Sequence, residues 1–382
     1  MISEQENDLL TRVGPGTPMG DLQRRYWHVA GAVEELAARP SKPVRLLGED
    51  LVLYRDRSGA IGLSGEPAAA YPVEELGGLL WAYLGPLPVP LLPRWDGLTG
   101  GKAIRTCGWS VVNCNWLQAM ENSLDPIHTE WLHGALPAFL TENQPSSPRA
   151  FLRKHLKIAF DEFEYGIYKR RLLAGQTEDA DDWTVGHPVL FPNILAVGSG
   201  GGDLWKVHAF QIRVPIDDEH TMHYCYDAYE PPPGVDVPTE LLGATRLYEI
   251  PVRDAAGEYL LDMTIVQDFM AWEAQGPRAK RNLERLGTTD RGVILFRNML
   301  KRELDRVKAG ADPLGTVRDP AKNDAIGFHI ERNKAHFSDG FDVVMRRSHV
   351  RYSPIAEDLK AMFARFNSAQ LSHARPAEPA LA

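Results

Sequence analysis

Between positions 121 and 134 the chain reads ENSLDPIHTEWLHG, and this stretch concentrates residue types that could do chemistry. His128 and His133 offer two imidazole nitrogens, and Asp125 offers a carboxylate three residues earlier, on the same face of a helix as His128. Two imidazoles and one carboxylate on one face of an octahedron leave positions open for oxygen and a substrate, the non-haem iron arrangement. The spacing is not that of a regular helix, where residues five apart point about 140° away from each other. Both rings can reach one ion only across a break or a widened turn, and Gly134 and the Asp125-Pro126 step make such an irregularity plausible. Taken on spacing alone, two histidines five apart are more often ordinary polar residues than ligands.

Other sets of candidate residues are weaker. His220, His223 and Cys225 form His-x-x-His-x-Cys after an acidic turn, but on a strand His220 and His223 face opposite sides, so a turn and strand is the preferred reading. Gly198 to Gly202 lacks the glycine order and the helix start of a phosphate cradle and reads as a hairpin tip. Trp116, Gln118 and Met120 read as core ahead of the histidines, and Trp205 and Phe210 as lying on a strand that faces a cavity. Asn122, one turn from the histidines, is the better pocket candidate. Arg213 could pair with a substrate carboxylate.

The elements that must position these residues fall into two stretches. From 43 to 63, PVRLLGEDLVLYRDRSGAIGL alternates as three short strands with hairpin turns at LeuGlyGluAsp and AspArgSerGly. Residues 64–70 read as a small-residue link, and YPVEELGGLLWAYLGP as two strands around a GlyGly turn. Prolines at 86, 88, 90 and 93 suggest a domain linker. Beyond residue 100 the run NWLQAMENSLDPIHTEWLHG is helical until Gly134, several strands follow between 151 and 230, and a long helical segment covers roughly 266–307 with a break near Gly276-Pro277. Strands followed by helices indicate an α+β fold. The expected division is 1–95 and 96–382, the last ten residues forming a flexible tail.

Composition narrows the function classes. The chain has 382 residues and a formal net charge of −9, so nucleic acid and anionic membranes are poor partners. Three cysteines without a Cys-x-x-Cys pair suggest a reducing compartment, and the polar N-terminus lacks an apolar signal core. The expected location is cytoplasmic.

Four segments, GPGTPMGDLQRRYWHVA, NCNWLQAMENSLDPIHTEWLHG, GHPVLFPNIL and FQIRVPIDDEHT, follow one another in an order that resembles the α subunit of Rieske non-haem iron oxygenases of the phthalate dioxygenase and O-demethylase branch. The resemblance runs from about residue 8 to 310. Its most specific motif is Asn-x-x-Asp-x-x-His-x-x-x-x-His, here Asn122 to His133. It implies that His128 and His133 bind Fe(II) and that a carboxylate of a later helix completes the triad. In IVQDFMAWEAQGP (265–277) that carboxylate is Asp268, with Glu273 and Asp262 as alternatives. It also implies a START-like helix-grip fold, a curved antiparallel sheet wrapped around helices, and head-to-tail trimers in which Asp125 stands on the electron route into His128.

The sequence departs from that family in one respect. Its members hold a [2Fe–2S] cluster through Cys-x-His and Cys-x-x-His, and neither motif occurs here. The segments that flank the cluster loops are present, joined through SerGlyGluProAlaAla, as if the loops had been excised from the β base of a Rieske domain. The expectation is an iron-dependent oxygenase component without a cluster of its own. It hydroxylates or O-demethylates an aromatic compound with O2 and electrons from a separate Rieske ferredoxin or reductase, as a homotrimer or hetero-oligomer. The rival expectation is a non-catalytic ligand-binding or assembly subunit that keeps the fold.

Overall fold

The computed structural model describes residues 2–65, 69–140, 152–200, 205–329 and 347–371. The first stretch contains α1 (Glu4–Thr11), α2 (Pro18–Gln23), β1 (Trp27–Ala32), α3 (Val33–Ala38), β2 (Ser41–Leu46), β3 (Glu49–Arg55), β4 (Ile61–Gly65), β5 (Ala69–Tyr71), β6 (Val73–Leu76) and β7 (Leu79–Tyr83). After the proline-rich segment come α4 (Asp96–Thr99), β8 (Ile104–Val112), α5 (Trp116–Ser123), a π-helix (Thr129–Ala135) and α6 (Leu136–Leu140). Next are β9 (His155–Phe163), β10 (Gly166–Leu173), α7 (Asp181–Thr184), β11 (His187–Leu190), β12 (Ile194–Ser199), β13 (Lys206–Pro215), β14 (Thr221–Glu230) and β15 (Thr245–Glu249). The chain ends with α8 (Thr264–Glu273), α9 (Arg291–Lys308) and α10 (Ala356–Leu371).

The strands form three sheets, ordered β1-β7-β6, β2-β3-β4-β5 and β15-β8-β14-β13-β12-β11-β10-β9. The eight-stranded sheet is antiparallel except for β15 alongside β8, and it curves around α8. Its inner face sets Arg213 and His223 against Phe269 and Trp272 of α8. Its outer face carries Phe210 and Tyr226, and Tyr226 donates from its hydroxyl to the Gly77 carbonyl at 3.1 Å. Gly77 and Gly78 have φ of 65° and 75°, the left-handed pair that a two-residue hairpin between β6 and β7 requires. A Cβ on Gly77 would also come within 2.7 Å of the Tyr226 hydroxyl.

Local chemistry fixes the remaining elements. Ser3 and Glu6 form a capping box on α1. α9 buries Val293, Phe296, Leu300, Leu304 and Val307 along one face, the 3.6-residue period of a surface helix.

Four sequence expectations need correction. The link at 64–70 is a hairpin, because Leu63, Ser64 and Gly65 pair with Tyr71, Ala70 and Ala69; residues 66–68 lie outside the described ones. The helical run before Gly134 is interrupted at 124–127, where Pro126 has no N–H to give, and helix resumes and continues beyond Gly134 to Leu140. The segment 266–307 is two helices separated by an irregular connection, since glycine and proline at 276–277 end the first. Trp205 and Phe210 do not share a face: Trp205 packs on Phe363 at 4.8 Å, whereas Phe210 packs on Phe328 at 5.8 Å on the outer side. Five residues along a strand invert the side. The expected C-terminal tail at 373–382, and Gly201 and Gly202 of the hairpin tip, lie outside the described residues.

Candidate metal centre

α5 is held from both ends. Its cap Asn115 accepts from Leu117 N–H at 3.1 Å and donates to the Thr11 carbonyl at 2.9 Å. Gln118, buried as expected, donates to the Trp272 and Gly276 carbonyls at 3.0 Å and so ties α5 to the end of α8. Glu121 receives Arg281 at 2.8 Å and Arg297 at 2.7 Å. Burial alone would raise the Glu121 pKa, and the two guanidiniums outweigh it and hold the carboxylate below its ordinary range.

Beyond α5 the chain breaks and re-enters helix with i→i+5 bonding; the Leu136 N–H closes on the Trp131 carbonyl. A π-turn brings residues five apart to one side, which is the widened turn that the spacing demanded. His128 and His133 therefore face the same way, with ring centroids 5.1 Å apart. Asp268, on the buried face of α8, completes the set. Its Oδ1 lies 3.7 Å from His128 Nε2 and 3.3 Å from His133 Nε2.

The atoms behind this triad fix its chemistry. His133 Nδ1 donates to Gln267 Oε1 at 2.8 Å, and Gln267 donates in turn to the Leu261 carbonyl at 2.7 Å. His128 Nδ1 faces the Asp125 main-chain carbonyl at hydrogen-bond distance. With both Nδ1 atoms engaged behind them, both Nε2 atoms point at Asp268, the orientation that a metal ligand needs. Asn122 Nδ2 donates to Asp268 Oδ1 at 3.2 Å and steadies the carboxylate. Burial pushes His128 down to about 3. For His133 burial is outweighed by the Asp268 carboxylate, which holds the imidazole above its ordinary value. Asp268 itself is held below the usual carboxylate range by His133, His128 and Arg213, against the effect of burial.

Asp125 Oδ1 accepts from Ile127 N–H at 2.8 Å, a turn-start contact, while its Oδ2 lies 3.9 Å from His128 Nδ1. Burial raises its pKa. The alternatives to Asp268 are engaged elsewhere: Glu273 with Asn113, Arg253 and Tyr259, and Asp262 with Arg351. His220 bonds Asp217 in a turn and His223 is buried on the inner face beside Cys225, so the set His220, His223 and Cys225 does not converge on one point.

Two neighbours escaped the sequence reading. Gln267 precedes Asp268 on α8, and only that place could have flagged it. Lys169 sits on β10 with 5% exposure and, among the described residues, makes no side-chain hydrogen bond or ion pair. Burial pushes its ammonium down to about 7, Arg171 and Arg213 adding to the effect while Asp125 and Asp268 oppose it. In the sequence it is the first cation of LysArgArg, a run that reads as solvated. Arg213 is fully buried on the same inner face, its guanidinium 5.8 Å from the Trp272 ring and its Nε without a partner.

Among the described residues, two groups could hold a metal: His128, His133 and Asp268, and on the outer face Asp96, His208 and Glu230. Neither includes a cysteine; Cys107, Cys114 and Cys225 are buried free thiols, so the described residues do not fit an iron–sulfur cluster. No helix among them is long and apolar enough to cross a membrane.

No family model matches the chain. It is 37% identical over 380 residues to the 5,5'-dehydrodivanillate O-demethylase oxygenase subunit of Sphingobium sp. (strain NBRC 103272 / SYK-6), covering 85% of this chain and 86% of the relative. It is 27% identical over 402 residues to the phthalate 4,5-dioxygenase oxygenase subunit of Pseudomonas putida, covering 83% and 89%. Among solved structures, NdmA of Pseudomonas putida CBB5 aligns with a TM-score of 0.54 at 14% identity over 77% of this chain and 94% of that one. Dicamba monooxygenase bound to dicamba aligns with a TM-score of 0.50 at 14% identity over 75% and 98%. At such identities the structures speak for the fold alone.

Proposed function

The chain belongs to the Rieske-type aromatic ring-hydroxylating oxygenase subunits, and from that membership we propose that His128, His133 and Asp268 hold its non-haem Fe(II) and that the iron centre oxidises an aromatic acid. It is an oxygenase component that hydroxylates or O-demethylates an aromatic compound with electrons from a separate donor. The observation that carries the site is the convergence of both imidazole Nε2 atoms on Asp268 Oδ1 across the π-turn. The donor set fits the metal, being buried and made of two imidazoles and one carboxylate. Fe(II) bound there supplies dioxygen activation at the positions the three ligands leave open.

The chain's own residues do the rest. Gln267 and the Asp125 carbonyl orient the imidazoles, and Asn122 orients the carboxylate. Asp125, at the edge of the site, is the proposed carboxylate on the electron route into His128. Lys169 and Arg213 are the proposed anchors of a substrate carboxylate. Two bound protein anions face them, Asp125 and Asp268, and with Fe(II) in place a further anion is needed to balance the charge. Relatives named for dehydrodivanillate, phthalate and phenoxybenzoate act on aromatic acids, which supports this choice.

The division at residue 95, the absence of a cluster from this chain and the head-to-tail trimer are likewise proposals. The deciding experiment is oxygen uptake with aromatic acids and methoxylated aromatic acids, with and without an added Rieske donor, on protein whose iron and acid-labile sulfide are measured. About one iron per chain, no sulfide and donor-dependent uptake are expected. Iron without uptake under any donor or with peroxide would favour the non-catalytic subunit, and sulfide would overturn the cluster-free reading.

A further inference from the structure

Asp96 on α4, His208 on β13 and Glu230 on β14 meet on the outer face of the sheet, on the far side from the iron ligands. Lys206 and Glu230 are directly opposite across the β13–β14 ladder, and His208 shares their face two residues along. α4 can come this close because residue 97 is glycine: a Cβ there would lie 2.5 Å from His208 Cβ and 2.6 Å from the Phe210 ring. The imidazole lies parallel to Phe210 and edge-on to Phe328, both at 6.4 Å. His208 is 1% exposed, and among the described residues neither of its ring nitrogens makes a hydrogen bond. An imidazole buried without a hydrogen bond is costly unless something is meant to meet it.

Its Nε2 is aimed between two carboxylates, 3.6 Å from Asp96 Oδ2 and 3.5 Å from Glu230 Oε1. Those gaps are long for hydrogen bonds, yet they match the edge of a tetrahedron of nitrogen and oxygen ligands at zinc distances, roughly 3.4 Å. Lys206 Nζ lies 2.7 Å from Asp96 Oδ2 and 3.5 Å from Glu230 Oε2, so the two carboxylates already draw a cation to this point. Lys206 is a quarter exposed, so its ammonium can swing into water.

We propose that Asp96, His208 and Glu230 form a second cation site that takes one divalent transition-metal ion, displaces the Lys206 ammonium and pins the linker helix α4 to β13 and β14. The ion neutralises both carboxylates and gives the buried imidazole a partner. Its role is structural, because the sheet separates it from the iron.

The test uses Zn2+ as the probe on the full chain. After equilibrium dialysis, the His128→Ala/His133→Ala double variant is expected to hold one zinc per chain, and the iron-loaded unmodified protein one zinc beside its iron. His208→Ala and the nearly isosteric Glu230→Gln, each in the iron-loaded protein, should weaken zinc about tenfold or more while iron and oxygen uptake stay unchanged. Lys206→Met should tighten it, because the competing charge is gone. A double variant without zinc, or zinc binding untouched by both Glu230→Gln and Lys206→Met, would overturn the site.

Discussion

The two faces of the eight-stranded sheet carry two ligand sets of nearly equal spacing: donor separations of 3.3 and 3.7 Å on the inner face, and 3.5 and 3.6 Å on the outer. They differ in what stands behind the ligands. On the inner face each imidazole has its far nitrogen engaged, and the carboxylate is steadied by Asn122. On the outer face His208 Nδ1 has no acceptor and an ammonium sits against the carboxylates. Distance between donors therefore says where an ion fits, while the supporting shell says how strongly the site is organised for it. Under the proposed assignments the inner set suits a resident ion and the outer one an exchangeable ion.

The largest effect expected under this contrast is ligand removal. His128→Ala or His133→Ala should take iron from about one per chain to almost none, with circular dichroism unchanged. Full iron retention in both would remove the distinction between the faces. Stripping support while keeping ligands comes next. Gln267→Met should weaken iron about tenfold to a hundredfold in a chelator competition, and an unchanged affinity would mean that spacing alone suffices.

Asp125→Asn sharpens the contrast from the side of electron entry. Iron should stay, while turnover driven by a donor falls about tenfold or more; peroxide, which brings oxygen and electrons together, should restore part of it. Normal donor-driven turnover would remove Asp125 from the route. Lys169→Met should raise KM for an aromatic acid about tenfold with a smaller change in kcat. An equal loss with a neutral aromatic would show that Lys169 shapes the pocket instead of pairing with charge.

The smallest effect belongs to the outer side, where His28 bonds the Gln23 carbonyl at 2.8 Å and meets Asn193 at 3.3 Å. Burial lowers its pKa from 6.5 to about 4. Between those values the unfolded chain binds the proton and the folded chain resists it, so stability is full above pH 6.5 and declines as pH falls toward 4. Thermal melts of His28→Gln should show a shallower decline across that window. An identical slope would assign the acid sensitivity to other groups.

The inner site was more legible in the sequence than the outer one, for a physical reason. His128 and His133 lie within one short segment, and their awkward spacing itself required a widened turn. Asp268 could be matched only through resemblance, since 135 positions separate it from His133 and no periodicity spans such a gap. Asp96, His208 and Glu230 have no local signature, because they meet through a strand register and a close glycine contact. The hairpin at β4–β5 was missed because its small residues carry no alternation of apolar and polar side chains. Lys169 was missed because alternation assigns it a face without saying that the face is buried.

The π-turn between the histidines makes chain length, as much as residue identity, a determinant of the site. One residue fewer between His128 and His133 would leave them four apart, a spacing that an ordinary α-helix already brings to one side. One residue more would leave them six apart, which an α-helix points about 120° away from each other. The centre should therefore survive a single deletion within positions 129–132 far better than a single insertion there, an asymmetry set by the pitch of the helix.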